Sequence, residues 1–326
     1  MISIVSPFHN EEAIIEASVR LMMRNLGSLA GDWELIIVND GSSDRSLEIA
    51  RGLEQEFSRL RVFGYSVGRG RGYAIRLGIA KARGDLVVTT EIDSSWGDDI
   101  VGRIVAEFAA RPDADIIIAS PHLPGGGYKN VPLTRVLLST LGNYVIRGGL
   151  TNSVTMNTGM TRGYRRERFA ILPLDEDDKE MHLEIIAKAQ AFGLHIYEIP
   201  AVLEWKDKQL SAPTAGKRKS ASNVNRLIRT HTLFAMLAAP FRYLYFVSAL
   251  LVLISVGFFT WSVFNLLTHR VSIYLFLSSL LVGTLSFLIF GIGVLAQQGR
   301  ALQRDLWRLR GELRAQQTNN PRHEQE

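Results

Sequence analysis

The 326-residue chain could hold one large domain or two smaller ones, and its hydrophobic fraction of 47% is ordinary for a globular protein. The absence of cysteine excludes disulfides and thiolate metal sites. The formal net charge of +5 comes mostly from basic clusters beside two apolar segments near the C-terminus. That placement favours anionic lipid headgroups over nucleic acid as the partner of the basic residues.

Short β-branched runs alternate with amphipathic helical segments over the first 120 residues. The predicted strands are Ile2–Val5, Glu34–Val38, Arg61–Tyr65, Asp85–Thr90 and Asp115–Ala119, and helices are predicted to begin near Glu11, Asp44, Arg71 and Asp98. This alternation predicts an α/β fold of βαβ units with a mostly parallel sheet. In such sheets ligands bind at the carboxyl ends of the strands.

The pattern changes after residue 120. The run PGGGYKN predicts a mobile loop, and the helical stretch TRVLLSTLGNYVI follows it. The run NTGMTRGYRRERF then leads to a helix around Met181–Ala191 and a strand, HIYEIPAVLEW. Residues 1–220 are therefore predicted to form the α/β domain. Residues 221–241 are predicted to form an amphipathic helix on a membrane surface, ended by Pro240.

Two uncharged segments, Tyr243–Phe264 and Ile273–Leu295, predict a transmembrane helical hairpin within residues 242–297. Each has about 22 residues and would reach roughly 33 Å as a helix, enough for the hydrocarbon core. Buried core helices are the alternative. Basic residues crowd both outer flanks, so the positive-inside rule predicts a multi-pass inner-membrane protein with its α/β domain and both termini in the cytoplasm.

The ends of the chain carry two further expectations. MISIVSPFHN runs straight into a strand, which predicts no signal peptide. Residues 298–326 are expected to form a basic cytoplasmic helix and a disordered tail beginning near Thr318. Leu302, Leu306, Leu309 and Leu313 make a short coiled-coil-like repeat, which points to a possible homo-oligomer.

Two carboxylates, Glu91 and Asp93, follow the fourth predicted strand with one residue between them. In an extended backbone, side chains two residues apart point the same way, so both are expected to converge on one point. Mg²⁺ and Mn²⁺ prefer oxygen ligands and are usually coordinated by substrate phosphates as well as by the protein. The pair therefore predicts a metal site for a diphosphate. A solvated acidic turn is the alternative for these two residues taken alone.

The first two strands also end in polar residues. Pro7, Phe8 and His9 could offer a flat surface to a nucleotide base or ribose, and Glu11 could accept hydrogen bonds from sugar hydroxyls or base N–H groups. A helix N-terminal acid is the alternative for Glu11.

Asn39 and Asp40 end the second strand, where they could read a base edge. Asp44 is assigned mainly to helix capping.

Three glycines, Gly68, Gly70 and Gly72, precede the third helix. Backbone N–H groups there could approach phosphate oxygens, and Arg71 could supply a cation for the diphosphate. The glycine spacing does not match a dinucleotide-binding fingerprint, because the required third glycine is misplaced.

Four segments together resemble the family-2 glycosyltransferases of GT-A fold: SPFHNEE, IIVNDGSSDRS, GRGRGYAIRLGIAKARGDLVV and TEIDSSW. With the hairpin, the whole chain resembles the polyprenyl-phosphate group, which includes dolichol-phosphate mannose synthase and undecaprenyl-phosphate glucosyltransferases. The resemblance implies transfer of one sugar from a UDP- or GDP-linked donor to undecaprenyl or dolichyl phosphate, with inversion. Glu91 and Asp93 would hold Mg²⁺ or Mn²⁺, and the acceptor phosphate would attack directly.

The resemblance also implies an acceptor grip. Arg135 and Arg162 match family positions that hold the acceptor phosphate, with Arg165, Arg166 and Lys217–Lys219 in support. A solvated or lipid-facing basic surface is the alternative for the supporting residues.

Four positions depart from the family pattern. Glu91 replaces an aspartate, Ser95 a glutamine, Asn39 an acid and Pro121 an arginine. These departures concern the residues expected to bind the donor, the metal and the acceptor phosphate.

Two other functions fit the same pattern of elements. A processive polysaccharide synthase shares the fold and the membrane anchorage, but the Gln-x-x-Arg-Trp motif that it needs is absent from the sequence. A catalytically weak membrane scaffold would explain the altered motifs.

Overall fold

The computed structural model describes residues 1–133, 136–137, 139–140, 143, 154–178, 180–205, 240–269 and 272–319. The strands are β1 (Ile2–Phe8), β2 (Trp33–Asp40), β3 (Leu60–Tyr65), β4 (Leu86–Thr89), β5 (Ile116–Ser120), β6 (Gly127–Lys129), β7 (Arg162–Arg165), β8 (Ile196–Pro200) and β9 (Val202–Glu204). The helices are α1 (Ile15–Leu26), α2 (Ser46–Glu56), α3 (Arg71–Lys81), α4 (Ile100–Ala110), α5 (Arg166–Ala170), α6 (Met181–Ala191), α7 (Pro240–Leu267) and α8 (Ile273–Asn319).

Seven strands form one sheet in the order β3-β2-β1-β4-β7-β5-β8, and only β7 runs antiparallel to its neighbours. The mostly parallel α/β sheet predicted from the sequence is therefore confirmed. Its central strands are apolar on both faces, with Ile4, Val5, Ile36 and Ile37 fully buried. This is the burial expected of parallel strands covered by helices on both sides.

Strand β7 was not predicted. Its sequence, RGYR, is short and charged, so neither alternation nor β-branching marks it as a strand. It pairs with both β4 and β5, and Gly163 lets α4 pack closely on it: a Cβ there would lie 2.5 Å from side-chain atoms of both Ile104 and Phe108.

The predicted strand HIYEIPAVLEW is in fact two strands. β8 ends at Pro200, and β9 begins at Val202 and pairs with β6 in a separate two-stranded sheet. The backbone N–H of Glu204, at the end of β9, donates to the carbonyl of Ser95 at 2.8 Å. The small sheet is thereby attached to the turn that follows β4.

Helices α7 and α8 contain two segments long and apolar enough to cross a membrane, Tyr243–Leu267 and Ile273–Gly299. Only 6% and 11% of their most apolar windows are buried, unlike core helices of a globular domain. The helices pack against each other, and the hydroxyls of Ser248 and Ser286 lie 3.0 Å apart.

Helix α8 does not stop at the predicted end of the second span, Leu295. It continues without a break to Asn319, so Thr318 is helical and not the start of a tail. The predicted surface helix over 221–241 falls almost wholly on residues 206–239, outside the described residues. Leu302, Leu306 and Leu309 are about half exposed or more, and self-association through them stays a prediction.

Candidate functional site

The polar ends of β1, β2 and β4 meet at one edge of the sheet, because these three strands are adjacent and parallel. Phe8 is in register with Asn39, and Nδ1 of His9 lies 2.6 Å from the carbonyl oxygen of Asp40. The backbone N–H of Thr90, just after β4, donates to the carbonyl of Val5 at 3.0 Å. The three polar clusters predicted from the sequence therefore lie together.

The loops after β1 and β2 bind each other through polar side chains. Asn10, whose φ of +53° is in the left-handed region, accepts a hydrogen bond from the N–H of Ser43 at 2.8 Å. The N–H of Glu11 donates to the hydroxyl of Ser46 at 2.8 Å, and that of Glu12 donates to Asp44 at 3.2 Å. Asp44 also accepts from the N–H of Ser46 at 3.0 Å, but the residue directly before α2 is Arg45, so Asp44 lies one position outside the cap that was predicted.

Asn39 and Asp40 organise these loops. Asn39 is 1% exposed, and its side-chain oxygen accepts from the N–H of Ser42 at 3.1 Å. Oδ1 of Asp40 accepts three hydrogen bonds, from the Tyr65 hydroxyl (2.8 Å) and the N–H groups of Arg69 (2.8 Å) and Gly70 (3.0 Å). Burial and the Asp40 carboxylate raise the pKa of the Tyr65 hydroxyl. Direct contact of either residue with a base stays a prediction.

Phe8 does not form the flat surface expected of it. It is 3% exposed and packs in the hydrophobic core, because it is the last residue of a strand covered on both faces. Pro7 is half-buried and His9 is exposed, so of the three predicted residues only these two are accessible to a nucleotide.

The glycine loop, Gly68–Gly72, is covered by protein. Gly70 has a φ of +101°, and a Cβ there would lie 2.6 Å from the carbonyl oxygen of Asp177. A Cβ on Gly72 would lie 2.5 Å from the carbonyl oxygen of Asp178. Since the N–H groups of Gly70 and Tyr73 bind Asp40 and Asp177, the start of α3 is not an open phosphate cradle in this conformation. Arg71 is exposed.

The metal-site residues lie in a turn and not in the extended segment that the sequence predicted. β4 ends at Thr89, and Ser94 has a φ of +52°. What aligns the two carboxylates is Ser95: its N–H donates to Oδ1 of Asp93 at 3.0 Å, and its hydroxyl donates to Oε2 of Glu91 at 2.5 Å. A serine at this position can bridge both acids.

The electrostatics of this turn fit a divalent cation. Burial raises the pKa of Glu91, the hydrogen bond from Ser95 opposes that shift, and the negative charge of Asp93 adds to it. A cation between the two carboxylates would relieve the repulsion. Within the described residues no third carboxylate or histidine joins them, which suits Mg²⁺ or Mn²⁺ because these ions often keep waters and substrate phosphates as ligands.

A second group of polar residues lies buried beside β7. The Arg162 side chain is fully buried, and its two terminal nitrogens donate to the carbonyls of His182 (3.0 Å) and Asn157 (2.7 Å). Burial lowers the pKa of this guanidinium. In this conformation Arg162 does not reach the surface, so its acceptor role stays a prediction. Arg135 lies outside the described residues.

Sequence reasoning missed His182 and Asp177. His182 is 1% exposed, burial holds its pKa well below the usual range, and neither ring nitrogen has a partner among the described residues. A single histidine at the start of an apolar helix carries no distinctive signal. Asp177 belongs to an acidic run that follows Pro173, and it binds two arginines of the GRGRGYAIR segment. The opposite charges of these two segments were the signal from which their pairing could have been predicted.

A family model described as glycosyl transferase family 2 matches residues 3–171, just over half of the chain. The chain belongs to this family. It is 28% identical over 211 residues to glycosyltransferase AglD of Haloferax volcanii, covering 64% of this chain and 33% of that protein. It is 24% identical over 216 residues to a dolichyl-phosphate beta-glucosyltransferase of Trichomonas vaginalis, covering 63% of this chain and 66% of that one. The chain thus spans less than two thirds of the length of either relative.

A solved structure supports the fold assignment. Glucosyl-3-phosphoglycerate synthase from Mycobacterium tuberculosis superposes with a TM-score of 0.53 and 21% identity, covering 73% of this chain and 79% of the synthase. At that identity the likeness shows the fold alone. The GT-A assignment made from the sequence motifs is confirmed.

Proposed function

We propose that this protein transfers a single sugar from a UDP- or GDP-linked donor to a polyprenyl phosphate at the cytoplasmic leaflet of a membrane, with inversion. The observation that carries the proposal is the Glu91–Asp93 pair, bridged by Ser95 at the carboxyl edge of the sheet, in a chain that also has two apolar helices. The named activities of the Trichomonas relative and of a dolichol-phosphate mannosyltransferase from Pyrococcus furiosus, 28% identical over 139 residues, support the acceptor class.

Glu91 and Asp93 would hold the cation, whose chemistry is to offset charge on the departing nucleoside diphosphate. A structure of the Mycobacterium synthase in complex with Mn²⁺ and UDP supports the binding of a divalent cation and a nucleoside diphosphate by this fold. The positive charge of Arg71 opposes the rise in the pKa of Glu91, which supports a role for its guanidinium in pairing with the diphosphate. Pro7 and His9 would contact the nucleotide, and Glu11, Asn39, Asp40 and Gly70 would shape or line its pocket.

The acceptor needs no general base in this proposal, because a phosphate monoester is already ionised at neutral pH. The rate would depend on in-line positioning of its oxygen and on stabilisation of the leaving group. Arg162 would have to be uncovered, by a shift of the segments that bury it, before it could pair with the acceptor phosphate.

The membrane part of the proposal rests on the two exposed apolar helices and on the basic residues outside them. Basic flanks on both outer sides favour cytoplasmic termini by the positive-inside rule. The residues after the second span also contact the α/β domain: the Trp307 ring lies 5.1 Å from Nζ of Lys188. That contact supports placing both on the same side of the membrane.

A transfer assay with purified protein in lipid nanodiscs tests the proposal. UDP-, GDP- and dTDP-linked sugars would be supplied with undecaprenyl phosphate and Mn²⁺, and the sugar–lipid product measured. We expect one donor to be consumed, and EDTA to stop the reaction. Glu91→Ala and Asp93→Ala should each lower the rate at least about 100-fold, because several kcal/mol of charge stabilisation would be lost.

Asp98→Ala is the matched control, since Asp98 is an exposed acid just beyond the same turn. It should leave the rate unchanged. Consumption of no donor would contradict the proposal and favour the scaffold alternative, whereas wild-type rates in the Glu91 and Asp93 variants would contradict the assignment of the metal site.

A further inference from the structure

The part of α8 beyond the second apolar span contacts helix α6 of the α/β domain. The ring of Trp307 faces the ammonium group of Lys188, with Nζ 5.1 Å from the ring centroid. This distance is within the range of a cation–π interaction, which is strongest with tryptophan. The helix that leaves the second span is therefore attached to the α/β domain at a defined point.

Lys188 is one of the most buried charged residues of the molecule, with 2% of its surface exposed. Its ammonium group donates to Oε1 of Glu184 at 2.6 Å, to Oδ2 of Asp175 at 3.1 Å and to the carbonyl of Pro173. A buried ammonium group needs such partners, because an unpaired buried charge is costly. The ammonium group also faces the Trp307 ring, so removing the indole would take away its aromatic partner.

Lys188 and Glu184 together hold residues 173–178, here named the acidic strap. The Glu184 carboxylate accepts hydrogen bonds from the backbone N–H groups of Asp175 (2.9 Å) and Glu176 (3.0 Å). The strap is therefore fixed to α6 by side chains, on the same face that Trp307 contacts.

The other end of the strap binds the glycine loop and α3 through ion pairs and a hydrogen bond. The Asp177 carboxylate pairs with Arg69 at 3.4 Å and with Arg76, and its carbonyl accepts from the N–H of Tyr73 at 2.9 Å. Arg69 also stacks on the Tyr73 ring at 3.6 Å. The glycine loop in turn donates its Arg69 and Gly70 N–H groups to Asp40. Contacts thus run without a gap from Trp307 to the end of β2.

We propose that Trp307 is a positioning residue for the donor site. Through its contact with Lys188 it holds the acidic strap on α6, and the strap fixes the glycine loop, which shapes the donor pocket and does not itself cradle a phosphate. Affinity for the nucleotide sugar then depends on whether the segment of α8 beyond the span is docked on the α/β domain. The inference rests on the proposed function for its assignment of the glycine loop to the donor.

Hydrogen exchange on the full chain in nanodiscs tests the physical link without any need for activity. Trp307→Ala should speed exchange in peptides covering residues 173–178 and 66–73 by about threefold to tenfold, the range set by loss of one cation–π contact. Trp307→Phe keeps a ring and should preserve most of the protection. Leu309→Ala, an exposed position on the same helix, is the matched control and should change nothing.

Steady-state kinetics test whether Trp307 affects the affinity for the nucleotide sugar. Trp307→Ala should raise KM for the nucleotide sugar by a similar factor and leave kcat and KM for the polyprenyl phosphate unchanged. A merely structural loss would lower kcat as well. Unchanged exchange over the strap, or altered exchange with an unaltered donor KM, would overturn the inference. Faster exchange in a protein that consumes no donor would support the link and count against the proposed function.

Discussion

The two halves of the candidate site differ in how completely their polar groups are paired. On the β1–β2 side, the side chains of Asn10, Asp40 and Asp44 accept hydrogen bonds from neighbouring loops, and that of Asn39 accepts one from its own loop. On the β4–β7 side, the buried Arg162 Nε and both ring nitrogens of His182 have no hydrogen-bond partner within the described residues. Among the described residues, the loop groups of the first side are paired although the buried Ser6 hydroxyl of β1 is not, whereas the second side leaves three buried nitrogens unpaired.

Pairing of this kind has a thermodynamic meaning. Each buried polar group without a partner costs about 1–3 kcal/mol relative to a paired one. Natural chains concentrate such departures at functional sites, where a ligand can supply what is missing. The difference teaches that the loops after β1 and β2 are preformed, whereas the buried nitrogens beside β7 are left without partners by the described residues.

The largest effect is expected from breaking the preformed half. Asp40→Ala removes the acceptor of three hydrogen bonds, from Tyr65, Arg69 and Gly70. We expect the free energy of unfolding to fall by about 3 kcal/mol, because the glycine loop loses its attachment to β2. Urea unfolding of the full chain in detergent, followed by tryptophan fluorescence, measures the change.

Asp32→Ala is the control for Asp40→Ala, since Asp32 is an exposed loop acid just before β2. Its effect should stay within about 0.5 kcal/mol, as for most surface substitutions. A similarly small effect of Asp40→Ala would show that the donor-side loops are not held together by this carboxylate.

A smaller effect is expected where the strap covers the glycine loop. Gly72→Ala places a Cβ 2.5 Å from the carbonyl oxygen of Asp178, and a backbone atom cannot easily move away. We expect a loss of about 2 kcal/mol, in the range of overpacking substitutions. Gly52→Ala is the opposite case, because nothing lies within 4 Å of a Cβ at this exposed position in α2. It should stabilise by about 0.5–1 kcal/mol. Equal shifts in Tm would refute close packing of the strap.

The fold was more predictable from the sequence than the site. Apolar runs such as Glu34–Val38 and the uncharged segments near the C-terminus carry strong periodic or compositional signals, so the parallel sheet and the long apolar helices could be predicted. Strand β7 could not, because it is short and charged and pairs with β4 and β5, which are distant from it in the sequence.

Side-chain roles at the site depended on contacts between distant segments. The sequence indicated that Glu91 and Asp93 belong together, but the reason is Ser95 and not an extended backbone. Phe8 was expected at the surface and lies in the core. The acidic strap lies more than 100 residues from the arginines that it binds, a separation that local patterns cannot bridge.

The smallest effect on stability is expected at Glu91, on the β4–β7 side of the site, and it should depend on pH. The pKa of Glu91 is raised in the folded protein, so the ionised carboxylate destabilises the fold above that pKa. Below the unfolded value of about 4.3 the carboxyl is protonated in both states and the cost is absent. Stability should therefore fall as pH rises between these two values. Glu91→Gln keeps an acceptor for Ser95 and removes the charge, so it should stabilise the metal-free protein near pH 7.

Urea unfolding in EDTA from pH 4 to pH 8 checks the sign: the advantage of Glu91→Gln should be absent at pH 4 and grow with pH. Mn²⁺ should then reverse the order of the two proteins, because a ligand that binds only the folded state stabilises it by mass action and the variant lacks one ligand. Asp98→Gln at the same turn should show neither effect. An advantage of Glu91→Gln that persists at pH 4 would mean that packing, and not an unpaired charge, sets the stability of this turn.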